Sequence, residues 1–151
     1  MLANTSKNNT YFYLFVTIIT GIAYFLVFAH RFVPAVVAVD ISNDLGANAS
    51  MLGMLSSGYF YMYGLFQMPA GVFVDAYGSR KVMTISFIIA GIGGILFGIS
   101  PNPTVSFISR LILGLGCAAI LVSAMTLLAR VIDKDKFPTY LTLLYVIGGL
   151  G

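Results

Sequence analysis

Four stretches of this chain are apolar for about as long as a bilayer is thick. They cover residues 11–39, 51–73, 82–100 and 105–131, and a fifth begins at residue 138 and runs to residue 151. A helix needs roughly 20 apolar residues to cross the hydrocarbon of a membrane. Backbone in lipid must satisfy its own hydrogen bonds, so such stretches are helices or barrel strands. They show no strict apolar–polar alternation, which argues against a barrel. The expected fold is therefore an all-α, polytopic membrane protein. Composition agrees, because 59% of residues are hydrophobic and only 9% are charged. A soluble domain carries about 25% charged residues, and this chain has too little polar surface to face water.

Several function classes are excluded at once. The net charge is +3, and the eight Lys and Arg residues are dispersed rather than gathered into one patch, so nucleic acid is not an expected partner. The single cysteine, Cys117, allows no intrachain disulfide, and the single histidine, His30, allows no multi-histidine metal site. No nucleophile–base pair or phosphate loop is present, so no enzyme activity, cofactor or metal is expected. The polar first ten residues do not resemble a cleaved signal peptide.

Charge placement predicts orientation. Lys7, Arg80, Lys81, Arg130, Lys134 and Lys136 all fall on one side of an alternating path, and no Lys or Arg falls in the loops of the other. The basic side faces the cytoplasm under the positive-inside rule. The amino terminus is then cytoplasmic, in a multi-pass protein of the inner membrane. Asp40 to Ser50 is expected as the connection between the first two spans, and Pro101-Asn102-Pro103 as the turn between the third and fourth.

Small residues predict how the spans pack. Ser86, Ala90, Gly94 and Gly98 recur every four residues, and Gly114, Gly116 and Ala118 lie together in the fourth span. Such positions let helices approach closely. Pro34 leaves the carbonyl of His30 without its helical donor and is expected to bend the first span.

Charged and polar residues within the spans are the candidates for function. Arg31 lies beyond the midpoint of the first span, where a charge costs at least about 2.5 kcal/mol unless it meets water or a partner. It is read either as an anion-binding residue facing a cavity or as a cation snorkelling to the outer interface. Thr17, Gly21, Tyr24, Phe28 and Arg31 share one helical face, the face expected to turn inward. His30, adjacent to Arg31, points elsewhere. Tyr59, Tyr63 and Gln67 form a polar stripe in the second span, read as cavity lining or an interfacial belt. Arg110 is either an outer-interface anchor or a buried charge at a site or gate. Asp75, close to Arg80 and Lys81, could form a clasp between helix ends.

The stretch Gly71-Val72-Phe73-Val74-Asp75-Ala76-Tyr77-Gly78-Ser79-Arg80-Lys81 resembles the loop motif of the major facilitator superfamily. Gly71, Asp75, Gly78 and Arg80 match it, whereas Ala76 and Ser79 stand where basic residues are common, which weakens the clasp. Gln67-Met68-Pro69-Ala70-Gly71 before the loop, Arg110-Leu111-Ile112-Leu113-Gly114-Leu115-Gly116, and Asp44-Leu45-Gly46 before the second span are similar to other motifs of the family. The resemblance implies twelve helices in two halves, with solute bound between them near the midplane. About five of the twelve are present here, so the chain is expected to be an N-terminal part of such a protein, with its C-terminal helices missing. By the same resemblance Asp75 and Arg80, with Lys81, control conformation, and Arg110 is linked to proton coupling. The stretch ending Arg31-Phe32-Val33-Pro34 is reminiscent of organic-anion and sugar-phosphate carriers.

The expected activity is secondary transport of a small solute, by symport or antiport, leaning towards an anion and with a proton as coupling ion. The lean rests on Arg31 and on the absence of carboxylates well inside the spans. A drug or sugar carrier, or a non-transporting membrane sensor or assembly partner on the same scaffold, are the alternatives. The candidate solute-path residues are Tyr24, Arg31, Tyr59, Tyr63, Gln67 and Arg110.

Overall fold

The computed structural model describes residues 2–151, with side chains from Thr10 onward except that of Leu45. The side chains of Lys7 and Leu45, used in the charge count and in the outer-loop motif, lie outside the described residues. Six helices follow in order: α1 (Leu2–Val36), α2 (Ala38–Leu45), α3 (Ala49–Tyr77), α4 (Ser79–Gly98), α5 (Pro103–Val131) and α6 (Phe137–Gly148). Among the described residues, three segments are long and apolar enough to cross a membrane: Thr10–Val36, Ser79–Gly98 and Pro103–Val131. α3 is 29 residues long, about 44 Å at 1.5 Å per residue. Its tyrosines, Gln67 and glycines make it less apolar than those three.

Local chemistry sets the helix ends. Asn48 caps α3 by accepting from the Met51 amide at 3.0 Å, and Asn102 caps α5 by accepting from Val105 at 3.0 Å. Asn is a favoured N-cap, and Pro103 follows it where a missing N–H costs nothing. The proline-rich turn of the sequence is thus a capped helix start. Between α3 and α4 the whole connection is Gly78, whose φ of 86° and ψ of 145° suit glycine alone. Its amide donates to the Val74 carbonyl at 3.0 Å and its carbonyl accepts from Val82 at 3.2 Å, so one residue closes one helix and opens the next.

Two expectations about the first span change. The helix ends at Val36 rather than Val39, and most of the expected Asp40–Ser50 connection is the short helix α2. The Ile41 amide donates to Val37 at 2.9 Å across the break, and Ser42 Oγ donates to the Ala47 carbonyl at 2.7 Å. Asp, Asn and Ser in this segment look like turn residues because their side chains compete with helical bonds. Here they lie along a helix that stops at Gly46, in the left-handed region with φ of 62°.

α5 is the centre of the bundle. It packs on α3 along one side and α4 along another, while α6 packs on α1. Close approach comes from missing side chains. A Cβ on Gly114 would strike the Tyr59 carbonyl oxygen on α3, and one on Gly93 would lie 2.6 Å from the Leu113 nitrogen on α5. The expected stripe on α4 is corrected here. Its buried face runs Ser79, Val82, Ser86, Ala90 and Gly93, whereas Gly98 has open space around it. Four residues turn 400° at 3.6 per turn, so a strict four-residue stripe drifts 40° per step off the contact line.

One charged side chain ties this core together. Arg110 on α5 is fully buried. Its Nη1 donates to the His30 carbonyl of α1 at 2.9 Å, and its Nε donates to the Leu55 carbonyl of α3 at 3.3 Å. The guanidinium carbon lies 4.8 Å from the Tyr59 ring centre and 5.5 Å from that of Phe97 on α4. The His30 carbonyl is the one that Pro34 deprives of its helical donor. Burying an ion costs several kcal/mol. Two charge-assisted hydrogen bonds of about 1.5–3 kcal/mol each and the ring contacts, about 0.5–2 kcal/mol each, offset much of it, while Nη2 stays buried without a hydrogen-bond partner.

Two outcomes are expected. Gly114→Ala should lower the apparent melting temperature of the intact protein in detergent, by overpacking worth about 1–3 kcal/mol. Gly91→Ala, where an added Cβ meets nothing within 4 Å, should not lower it. In steric-trap unfolding, Arg110→Met should orphan the His30 carbonyl, and Pro34→Ala should partly rescue that variant by restoring an amide donor. The coupling should be about 0.5–3 kcal/mol; additivity within about 0.5 kcal/mol would rule the pairing out.

Candidate functional site

Apart from Arg110, the polar candidates lie on α1 and α3. Arg31 is half-buried on the side of α1 that faces α3. Its guanidinium carbon lies 4.6 Å from the ring centres of Phe28 and Tyr63, with Phe60 at 5.9 Å. Phe28 belongs to the same helix at the i, i+3 spacing, so both side chains emerge on one face. The Nε of Arg31 is buried and has no hydrogen-bond partner. No carboxylate pairs with Arg31; among the described residues the one ion pair is Lys136 with Asp133, at 4.0 Å. The site is a cation held by aromatic faces, with hydrogen-bonding capacity left over.

The stripe of the second span is real but divided by depth. Tyr59 is completely buried, and its hydroxyl donates to the Val27 carbonyl of α1 at 3.2 Å. It therefore joins α3 to α1 as well as lying under Arg110. Tyr63 stacks on Tyr59 with ring centres 5.9 Å apart and supports Arg31 on its other contact. Gln67 is half-buried and its Nε2 donates to the Tyr63 hydroxyl at 3.4 Å, fixing that ring from below.

The inward face of α1 is shared between two partners. Its lower half is covered by α6: Gly21 receives Ile147, and Tyr24 packs beside Gly148 and edge-on to Tyr145 at 5.7 Å. Phe28 continues from Tyr24, edge-on at 5.0 Å, towards Arg31. Tyr24 is thus joined to the Arg31 site through Phe28. Sequence reasoning missed Phe60 and Tyr145; neither lies on the periodic stripe of its own helix, and only the three-dimensional neighbourhood reveals them.

Arg110 and Arg31 do not share a site. Arg110 is enclosed by α1, α3, α4 and α5, whereas Arg31 lies on the partly open α1–α3 surface. His30 points away from Arg31, as expected, into a cavity of about 290 Å³ between α1, α4 and α5 that Ala90 and Cys117 also line.

At the other end of the bundle, the expected clasp of Asp75 with Arg80 is not formed. Asp75 is exposed on the last turns of α3 and pairs with neither Arg80 nor Lys81. The turn at Gly78 separates them: Arg80 and Lys81 sit on the first turn of α4, in a cleft shared with Arg130. Gly71 is half-buried in α3, with open space where a Cβ would go. A different polar tie joins α1 to the α5–α6 connection, where the Tyr13 hydroxyl donates to Asp133 at 3.2 Å and Lys136 lies 5.8 Å from the Tyr13 ring centre.

Comparison with known proteins supplies the family. The model of the Major Facilitator Superfamily matches residues 14–151. Among curated relatives, a probable sulfoacetate transporter, SauU, of Cupriavidus necator is 29% identical over 62% of this chain and 22% of its own length. The multidrug resistance protein Stp of Mycobacterium tuberculosis is 27% identical over 82% of this chain and 23% of its own. The probable anion transporter 6, chloroplastic, of Arabidopsis thaliana is 29% identical over 77% of this chain and 22% of its own. The chain thus spans under a quarter of the length of these relatives. No solved structure matches it. With a family match over residues 14–151, nearly all of the described chain, this multi-pass membrane chain belongs to the major facilitator superfamily of transporters.

Proposed function

We propose that the chain forms part of a secondary transporter that moves a small organic anion by alternating access, with Arg31 as the residue that meets the anion. The observation that carries this is the state of Arg31: a guanidinium braced between the Phe28 and Tyr63 rings, with a free Nε and no carboxylate partner. A planar guanidinium offers paired donors that match a carboxylate or sulfonate. The aromatic faces orient it without neutralising it. The names of two relatives, the sulfoacetate transporter and the chloroplastic anion transporter, point to the same class of solute.

In this reading Tyr24, Tyr59, Tyr63 and Gln67 shape the solute path or hold its walls. Arg110 acts through the helix core, with a proton as the coupling ion. The remaining wall of the site comes from further helices of the same protein, in keeping with the length of the relatives and with binding between repeated halves. Orientation follows from charge: the basic ends lie at one end of the bundle, where Arg80, Lys81 and Arg130 share a cleft and Tyr13 meets Asp133 and Lys136. That end is cytoplasmic and the membrane is the inner one. A carrier of aromatic drugs is the second reading, favoured by the exposed Phe60 beside the site and by the name of Stp.

Uptake into sealed vesicles containing the intact protein separates these readings. Arg31→Ala should reduce uptake of an organic anion at least about tenfold, the equivalent of one lost charge-assisted hydrogen bond, and Arg31→Lys should retain part of it. Unchanged anion uptake in Arg31→Ala would defeat the anion reading and leave the drug carrier. Specific solute binding with no flux or exchange would identify a sensor.

A further inference from the structure

Where α3 gives way to α4 there is a cleft of about 310 Å³ whose walls include Ser79, Arg80, Lys81 and Arg130. Four of its features favour one kind of occupant. Three cations face it and no carboxylate lines it. α4, 20 residues long, starts here with no side chain capping its amides, because its N-cap residue is Gly78. The free amides and the helix dipole favour a negative group at such an end. Ser79 is 4% exposed, and its Oγ is buried with no hydrogen-bond partner. A buried hydroxyl without a partner is costly, and a ligand oxygen would satisfy it. Finally, the cleft adjoins an apolar groove of about 330 Å³ between α3 and α4, lined by Phe66, Phe73, Val82 and Ile85, with Tyr77 common to both.

We propose that this cleft binds the phosphate of an anionic phospholipid, with Arg80, Lys81, Arg130, Ser79 and the first amides of α4 around the headgroup and an acyl chain in the adjoining groove. Charge complementarity and the apolar continuation argue for a lipid over a free anion. A free phosphate would use the basic cleft and leave the groove beside it empty. Basic residues at the end of a membrane helix attract anionic lipid surfaces in general; here the uncapped helix and the buried hydroxyl add a defined pocket for one phosphate. The proposal is independent of the solute carried, since the cleft begins at Gly78, about 22 Å along α3 from the Tyr63 that supports Arg31.

The test uses the intact protein in neutral detergent. Native mass spectrometry with phosphatidylglycerol and phosphatidylcholine of matched acyl chains should show at least about threefold greater retention of phosphatidylglycerol. Arg80→Gln with Arg130→Gln should remove the preference, and Ser79→Ala should weaken it. Hydrogen exchange on the unaltered protein covers the chance that a variant fails to fold: amides of residues 79–81 should slow when phosphatidylglycerol is added and not with phosphatidylcholine. Equal retention of the two lipids, or unchanged exchange at residues 79–81, would overturn the proposal. So would protection by inorganic phosphate alone with no lipid preference, which would assign the cleft to a free anion.

Discussion

A guanidinium with no carboxylate can be buried only where the backbone supplies its acceptors, and helix carbonyls are normally spoken for. Pro34 changes that for one carbonyl of α1, and Arg110 takes it, while its Nε shares the Leu55 carbonyl of α3. The geometry needs α5 close to both helices. Gly114, one turn further along, provides the approach to α3 at Tyr59. Tyr59 then serves twice, as a ring under Arg110 and as a donor to the Val27 carbonyl. A proline, an arginine, a glycine and a tyrosine on three helices therefore form one unit, and α4 joins it through Phe97.

That unit positions the candidate site without belonging to it. Fixing α1 against α3 sets Arg31 above Tyr63, which is itself held by Tyr59 and Gln67. One cation is sealed among four helices and used for architecture, although its Nη2 is left without a partner; the other is braced by aromatic rings on a partly open surface, with its Nε unpaired. The same residue type thus takes two roles, decided by what surrounds it: four helices for Arg110, and a partly open two-helix surface for Arg31.

Much of this was legible in the sequence. The helix content, the inner face of α1, the stripe of Tyr59, Tyr63 and Gln67, the opposed directions of His30 and Arg31, and the freed His30 carbonyl all follow from periodicity and from the covalent geometry of proline. The acceptor's partner did not, because Arg110 lies 80 residues away and no local rule pairs the two. The α4 stripe was read one residue off, at Gly94 rather than Gly93, because a four-residue repeat was carried further than a 3.6-residue helix permits. The Asp75 clasp was expected from closeness in sequence, but no ion pair forms across the single glycine of positive φ that divides α3 from α4. α2 was hidden by Asp40, Ser42, Asn43 and Asp44, whose side chains favour turns over helix interiors.

Thiol labelling tests the central claim most directly: that the Arg31 side of α1 and α3 meets water while the Arg110 core is sealed. In the intact protein with Cys117→Ala, single cysteines at Phe28, Phe60 and Leu113 would be exposed in membranes to a small, membrane-impermeant, charged thiol reagent. The account predicts labelling at Phe28→Cys and Phe60→Cys, which border Arg31 on its open side, slowed by a transported anion, and none at Leu113→Cys, which lies within the buried face of α5. Labelling at Leu113→Cys, with Phe28→Cys and Phe60→Cys unreactive, would place the water path through the core and contradict it.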